Sequence, residues 1–157
     1  MTVRAAVQMV LIFGEGAARG AGIDDYEPPD RSHFGVHAQV FIGDTATGYV
    51  DSFDLVVCTP SWMAEQVAEG HWSRFRHGGL SAIPDAIAVG SGIWFMQQWD
   101  RAAFQASLTE VCDSCSPAPD WGSLASRIGR LIPWEFDYKY DEHVDAHYGE
   151  PFPPPRR

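Results

Sequence analysis

The sequence predicts a single α+β domain, a small antiparallel β-sheet packed against two or three helices. Three observations carry that expectation. The 157 residues are one domain's worth, since folded domains cluster near about 100–150 residues. The N-terminal part alternates apolar and polar positions with a period of two, whereas the C-terminal part carries apolar stripes at helical spacing. The order strands, helix, strand, helix, helix also keeps most strands apart from most helices, as α+β folds do.

Each element has its own signal. Val3 to Phe13 reads as a first strand, rich in Val, Ile and Leu and ended by Gly14-Glu15-Gly16. Gly14 to about Ser32 reads as a long irregular segment, with Pro28-Pro29 excluding regular structure there. Phe34, Val36, Ala38, Val40 and Ile42 then mark a strand with one buried face. Gly43 to Gly48 supplies a hairpin connection, and Tyr49 to Thr59 the returning strand. A helix follows, with Thr59 as its cap, Pro60 at the first helical position and Gly70 as its stop. Trp62, Met63, Gln66 and Val67 form its inward stripe. Ile93 to Gln97 is expected as a fourth strand. Asp100 caps a helix running to about Cys115, and Asp120 caps a last helix with Trp121, Leu124, Ala125, Ile128 and Leu131 on one stripe. Trp134-Glu135-Phe136 reads as an extended segment tucked against the core. The domain is expected over residues 1–139, with an acidic, Pro-rich, mobile tail over 140–157.

Composition narrows the function. The chain has 11 basic and 21 acidic residues, a formal net charge of −10. Nucleic acid and anionic membranes need clustered cations, so neither is expected as a partner; a basic protein is. The longest purely apolar run, Met9 to Phe13, is far short of the roughly 20 residues that a bilayer span requires. The N-terminus does not read as a signal peptide, because Gln8 interrupts its apolar stretch. Three cysteines do not suggest a disulfide framework, and the compartment reads as cytoplasm.

Candidate chemistry is sparse. Cys112-Asp113-Ser114-Cys115 falls at the end of a helix, where the dipole raises rather than lowers a thiol pKa, and it lacks a second pair of zinc ligands. Both sulfurs are therefore expected in the core. His143 and His147 stand four apart beside Glu142, Asp145 and Glu150, and a metal-dependent enzyme built on these groups is the alternative reading. His33 and His37 point the same way on a strand but lack partner ligands. No nucleophile elbow, phosphate loop or dinucleotide fingerprint is present. Neither a cofactor nor a metal is expected. Two acidic groups remain as candidate partner-binding sites. One is Asp24, Asp25, Tyr26, Glu27 and Asp30; the other is Asp137, Asp141, Glu142 and Asp145. Such charge speeds encounter with a basic partner and sets register.

From Ser52-Phe53-Asp54 through Val57-Cys58-Thr59-Pro60-Ser61-Trp62-Met63 the sequence resembles the immunity proteins of bacterial polymorphic toxin systems, specifically immunity protein family eight. Ile93 to Met96 leading to Trp99-Asp100, then Cys112 and Cys115, continue the pattern. Trp121, Leu124-Ala125, Arg127 or Arg130, and Trp134-Glu135-Phe136 complete it. The matches run in order from about Phe34 to Tyr138. The acidic loop from Gly14 to Ser32, the stretch from Gly70 to Gly92 and the tail after Tyr140 depart from it. The resemblance implies a non-enzymatic, cytoplasmic inhibitor that blocks a cognate secreted toxin by binding. A regulatory adaptor with no toxin is the remaining alternative. The departures are where recognition of one particular toxin is expected, since specificity requires differences among family members.

Overall fold

The period-two alternation of Val36, Ala38, Val40 and Ile42 places these four side chains on one face of a strand, and all four are buried. In the computed structural model, which describes residues 1–70 and 92–135, that strand is β3 (Gly35–Asp44), at the centre of a five-stranded sheet. The others are β1 (Ala5–Gly14), β2 (Ala17–Gly22), β4 (Val50–Cys58) and β5 (Ile93–Phe95), in the order β2-β1-β3-β4-β5. Helices α1 (Pro60–Ala68), α2 (Arg101–Cys115) and α3 (Trp121–Gly129) complete an α+β architecture.

The sheet is antiparallel from β2 to β4 and parallel at β5. This corrects the wholly antiparallel expectation. A parallel neighbour requires a long crossover, and β4 and β5 are separated in the chain by α1 and the residues after it. A second correction concerns the segment after Gly14. It contains β2, paired through Leu11↔Gly22, Ile12↔Ala21 and Gly14↔Ala17. Ala17-Ala18-Arg19-Gly20-Ala21-Gly22 has no β-branched or aromatic residue, so its strand state comes from the ladder with β1 and not from propensity. Gly16, at φ +79°, makes the turn between them.

Both faces of the sheet carry a helical layer. Phe53, Leu55 and Val57 point to the main core with Phe104, Leu108, Val111, Leu124 and Ile128 of α2 and α3. Val56 and Cys58 point the other way and pack with Met63, Trp62 and Val67 of α1. α1 thus covers the second face of the sheet. All three expected caps are in place. Thr59 Oγ1 accepts from Trp62 N at 3.4 Å, Asp100 from Ala103 N at 2.9 Å, and Asp120 from Ser123 N at 2.7 Å. The last stripe is displaced. α3 stops at Gly129, so Leu131 is about half exposed and Ile132 is the buried residue. Trp134 lies against the core, bridging Phe53 of β4, and Val3 bridges Ala118. Phe136 and the tail over 140–157 lie outside the described residues.

Candidate functional site

The acidic loop after β2 is built by alternating anchors and acids. Ile23, Tyr26, Pro28 and Phe34 are buried, whereas Asp24, Asp25, Glu27 and Asp30 are exposed. Apolar side chains pull the loop onto the domain, and the carboxylates between them are left facing solvent, because an unpaired charge cannot be buried cheaply. Tyr26 was expected among the contact residues, but only 3% of it is accessible. Its ring packs edge-on against Trp99 at 5.5 Å, and its O–H donates to the Glu15 carbonyl at 3.3 Å. Burial, with the nearby charges of Glu15 and Glu27, raises its pKa further above the phenol range. Tyr26 therefore holds the loop in place, while the acids between the anchors face solvent.

Two arginines fasten the same loop. Arg101, at the start of α2, donates to the Tyr26 carbonyl at 2.9 Å and pairs with Glu27 at 3.0 Å. Arg31 donates to the Trp99 carbonyl at 2.9 Å, and Trp99 N returns a bond to Arg31 O at 2.7 Å. Asp30 accepts from the Ser32 amide at 2.9 Å and hydroxyl at 2.8 Å. The Ser32 bonds hold its carboxyl below the ordinary carboxylate pKa, so Asp30 keeps its charge. Asp24 and Asp25 border a cleft of about 410 Å³ floored by Val7, Val10, Ile23 and Leu108. Gln105 of α2 reaches Asp24 at 3.4 Å. The structure thus brings Asp24, Asp25, Glu27 and Asp30 onto one ordered loop. Asp137, Asp141, Glu142 and Asp145 lie outside the described residues.

The sequence did not point to Arg31 and Arg101 as the fasteners, since they bind the loop through backbone carbonyls that leave no pattern. A second polar cluster was also unforeseen. Asp51, 4% exposed, accepts from the indoles of Trp121 at 2.7 Å and Trp134 at 3.0 Å. Tyr49 stacks edge-on against Trp121 at 5.7 Å, and its pKa is raised by burial and then by the Asp51 charge. Glu135 and Ser52 exchange bonds at 3.0 and 3.2 Å. These contacts tie α3 and the segment after it to the start of β4, so the Trp and Glu residues serve the fold.

The cysteines have no reactive setting. Cys58, Cys112 and Cys115 are buried free thiols. Burial pushes Cys58 up to about 12, and burial with the neighbouring Cys115 and Asp113 pushes Cys112 up to about 11. His33 and His37 do not converge. His33 bonds Ser61 and Glu65 of α1, and His37 bonds Asp54 of β4 at 2.9 Å. No set of three metal-ligating side chains comes together among the described residues, and His143 and His147 lie outside them. No helix among the described residues is long and apolar enough to cross a membrane.

Comparison with known proteins places this architecture. A family model described as Immunity protein 8 matches residues 17–138, well over half the chain. No curated protein and no solved structure gives a significant match.

Proposed function

The chain belongs to the immunity protein 8 family, and from that premise we propose that it binds one cognate toxin domain and neutralises it by covering its working surface. The family match carries this reading, because it spans every element from β2 to α3 and leaves out only β1. The partner is a basic toxin domain, the site of action is the cytoplasm, and the protein performs no chemistry of its own. Asp24, Asp25, Glu27 and Asp30 form the first contact surface. A loop already fixed by Arg31, Arg101 and Tyr26 loses little conformational freedom on docking, which favours affinity. Asp137, Asp141, Glu142 and Asp145 carry the same sign and are assigned the same role by sequence. An interface of ordinary size buries on the order of 1,200–2,000 Å².

Co-expression with the toxin domain encoded by the neighbouring gene tests the reading. A stable complex on co-purification, with growth of the toxin-expressing cells restored, is the expected result. A folded protein that neither co-purifies nor protects overturns it.

A further inference from the structure

Beside the acidic loop, Glu15, Tyr26, Pro28, Pro29, Trp62 and Glu65 line a groove of about 170 Å³. Three separate parts of the chain deliver them: the β1–β2 turn, the loop and α1. The walls are stiff. Tyr26 is fixed by its bond to Glu15 O and its contact with Trp99. The Trp62 indole lies against Gly35, where an added Cβ would come within 2.2 Å of two ring carbons. Prolines contribute flat surface with little rotamer entropy to lose. Glu15 and Glu65 are both exposed. Glu65 is oriented by its Oε2, which bonds His33 Nε2 at 2.7 Å, while His33 Nδ1 bonds Ser61 Oγ at 3.0 Å. Of the groove's lining residues, His33 is the single one able to carry positive charge.

Flat aromatic and prolyl walls with carboxylates from two elements are complementary to one chemical group above others. A guanidinium is planar, permanently charged and weakly hydrated; it stacks on aromatic faces and pairs with carboxylates in fixed directions. A lysine ammonium matches the charge but not the plane. We propose that this groove docks one arginine side chain of the toxin partner, its guanidinium against Trp62 and within reach of Glu15 and Glu65. The inference rests on the toxin-binding reading above and adds what the partner must present there.

The test uses the full chain without the toxin. The Trp62 indole N–H resonance, assigned with Trp62→Phe, is followed while N-acetyl-arginine amide is titrated, with N-acetyl-citrulline amide as the neutral isostere. The expected result is a saturable shift with arginine and none with citrulline. Glu15→Gln and Glu65→Gln should each weaken arginine binding by about threefold to fivefold, the scale of one exposed ion pair. Both substitutions are at exposed positions, so folding is preserved and circular dichroism checks it. Absence of a saturable shift, an equal response to citrulline, or unchanged affinity in both variants overturns the proposal. Co-purification with the toxin is scored separately, so loss of the arginine site and loss of toxin binding are distinct outcomes.

Discussion

Asp51 is a carboxylate placed where two indole N–H groups need an acceptor, 2.7 and 3.0 Å away. Removing it takes this acceptor from both donors, and a charged hydrogen bond is worth about 1.5–3 kcal/mol. Asp51→Ala should therefore destabilise the protein by about 2–4 kcal/mol in urea unfolding. Asp51→Asn keeps an acceptor oxygen and should cost clearly less. Asp44 shows the same economy in a turn. It accepts from Thr47 Oγ1 at 2.8 Å and from the amides of Ala46 and Thr47, both at 3.2 Å. The Thr47 side-chain bond, first among these, holds its pKa below the ordinary 3.8. A lowered folded-state pKa means stability that is complete above the unfolded value and lost as pH falls through the folded one. Stability should accordingly decline below about pH 4, and Asp44→Asn should flatten that acid limb in a pH series of melting curves. The thiols give a third check at this scale. With Cys58 near 12 and Cys112 near 11, almost no thiolate exists at pH 8, so a disulfide reagent should label neither until the protein is unfolded.

Among the elements, the acidic loop shows what one remote residue can control. Arg101 reaches back to Tyr26 O and Glu27 across more than 70 positions of sequence. Arg101→Gln should loosen the loop without unfolding the sheet. Hydrogen exchange at the Asp25 amide, bonded to Gly22 O at 3.0 Å, should accelerate about tenfold while amides of β3 stay protected. This contact also explains which parts of the architecture were legible. Caps such as Thr59, Asp100 and Asp120 are local signals, and the sequence alone located them. The alternation in β3 located its buried face for the same reason. β2 escaped because its alanines and glycines carry no strand propensity, and the parallel direction of β5 depends on a crossover rather than on three residues. Ile132 is buried in place of Leu131 because α3 ends at Gly129, two residues short of the end of the stripe. In the candidate site, the exposure of Asp24, Asp25, Glu27 and Asp30 was legible from charge. The burial of Tyr26 and the Glu15–Trp62–Glu65 groove were not, since each requires partners far away in sequence.

For the whole molecule, the net charge of −10 acts through the field it casts on an approaching partner. Electrostatic steering raises association rates by about 10–10³-fold and fades as salt screens it. Association with the toxin should therefore slow by about tenfold or more between low and high ionic strength, with dissociation changing far less, as read by stopped-flow fluorescence. Reversing Asp24, Asp25 and Glu27 to Lys should remove much of that salt dependence; unchanged kinetics would remove the loop from the interface.

The loop's fastening has a consequence for how the molecule can change over generations. Its main supports are the Tyr26 and Trp99 carbonyls held by arginines, and a turn closed from Asp25 N to Gly22 O. Backbone carbonyls are supplied by any residue, and the N–H at position 25 by any but proline. Substitution at positions 24 and 25 therefore leaves the supports standing, and a descendant can acquire a different adversary without first having to re-establish its own shape.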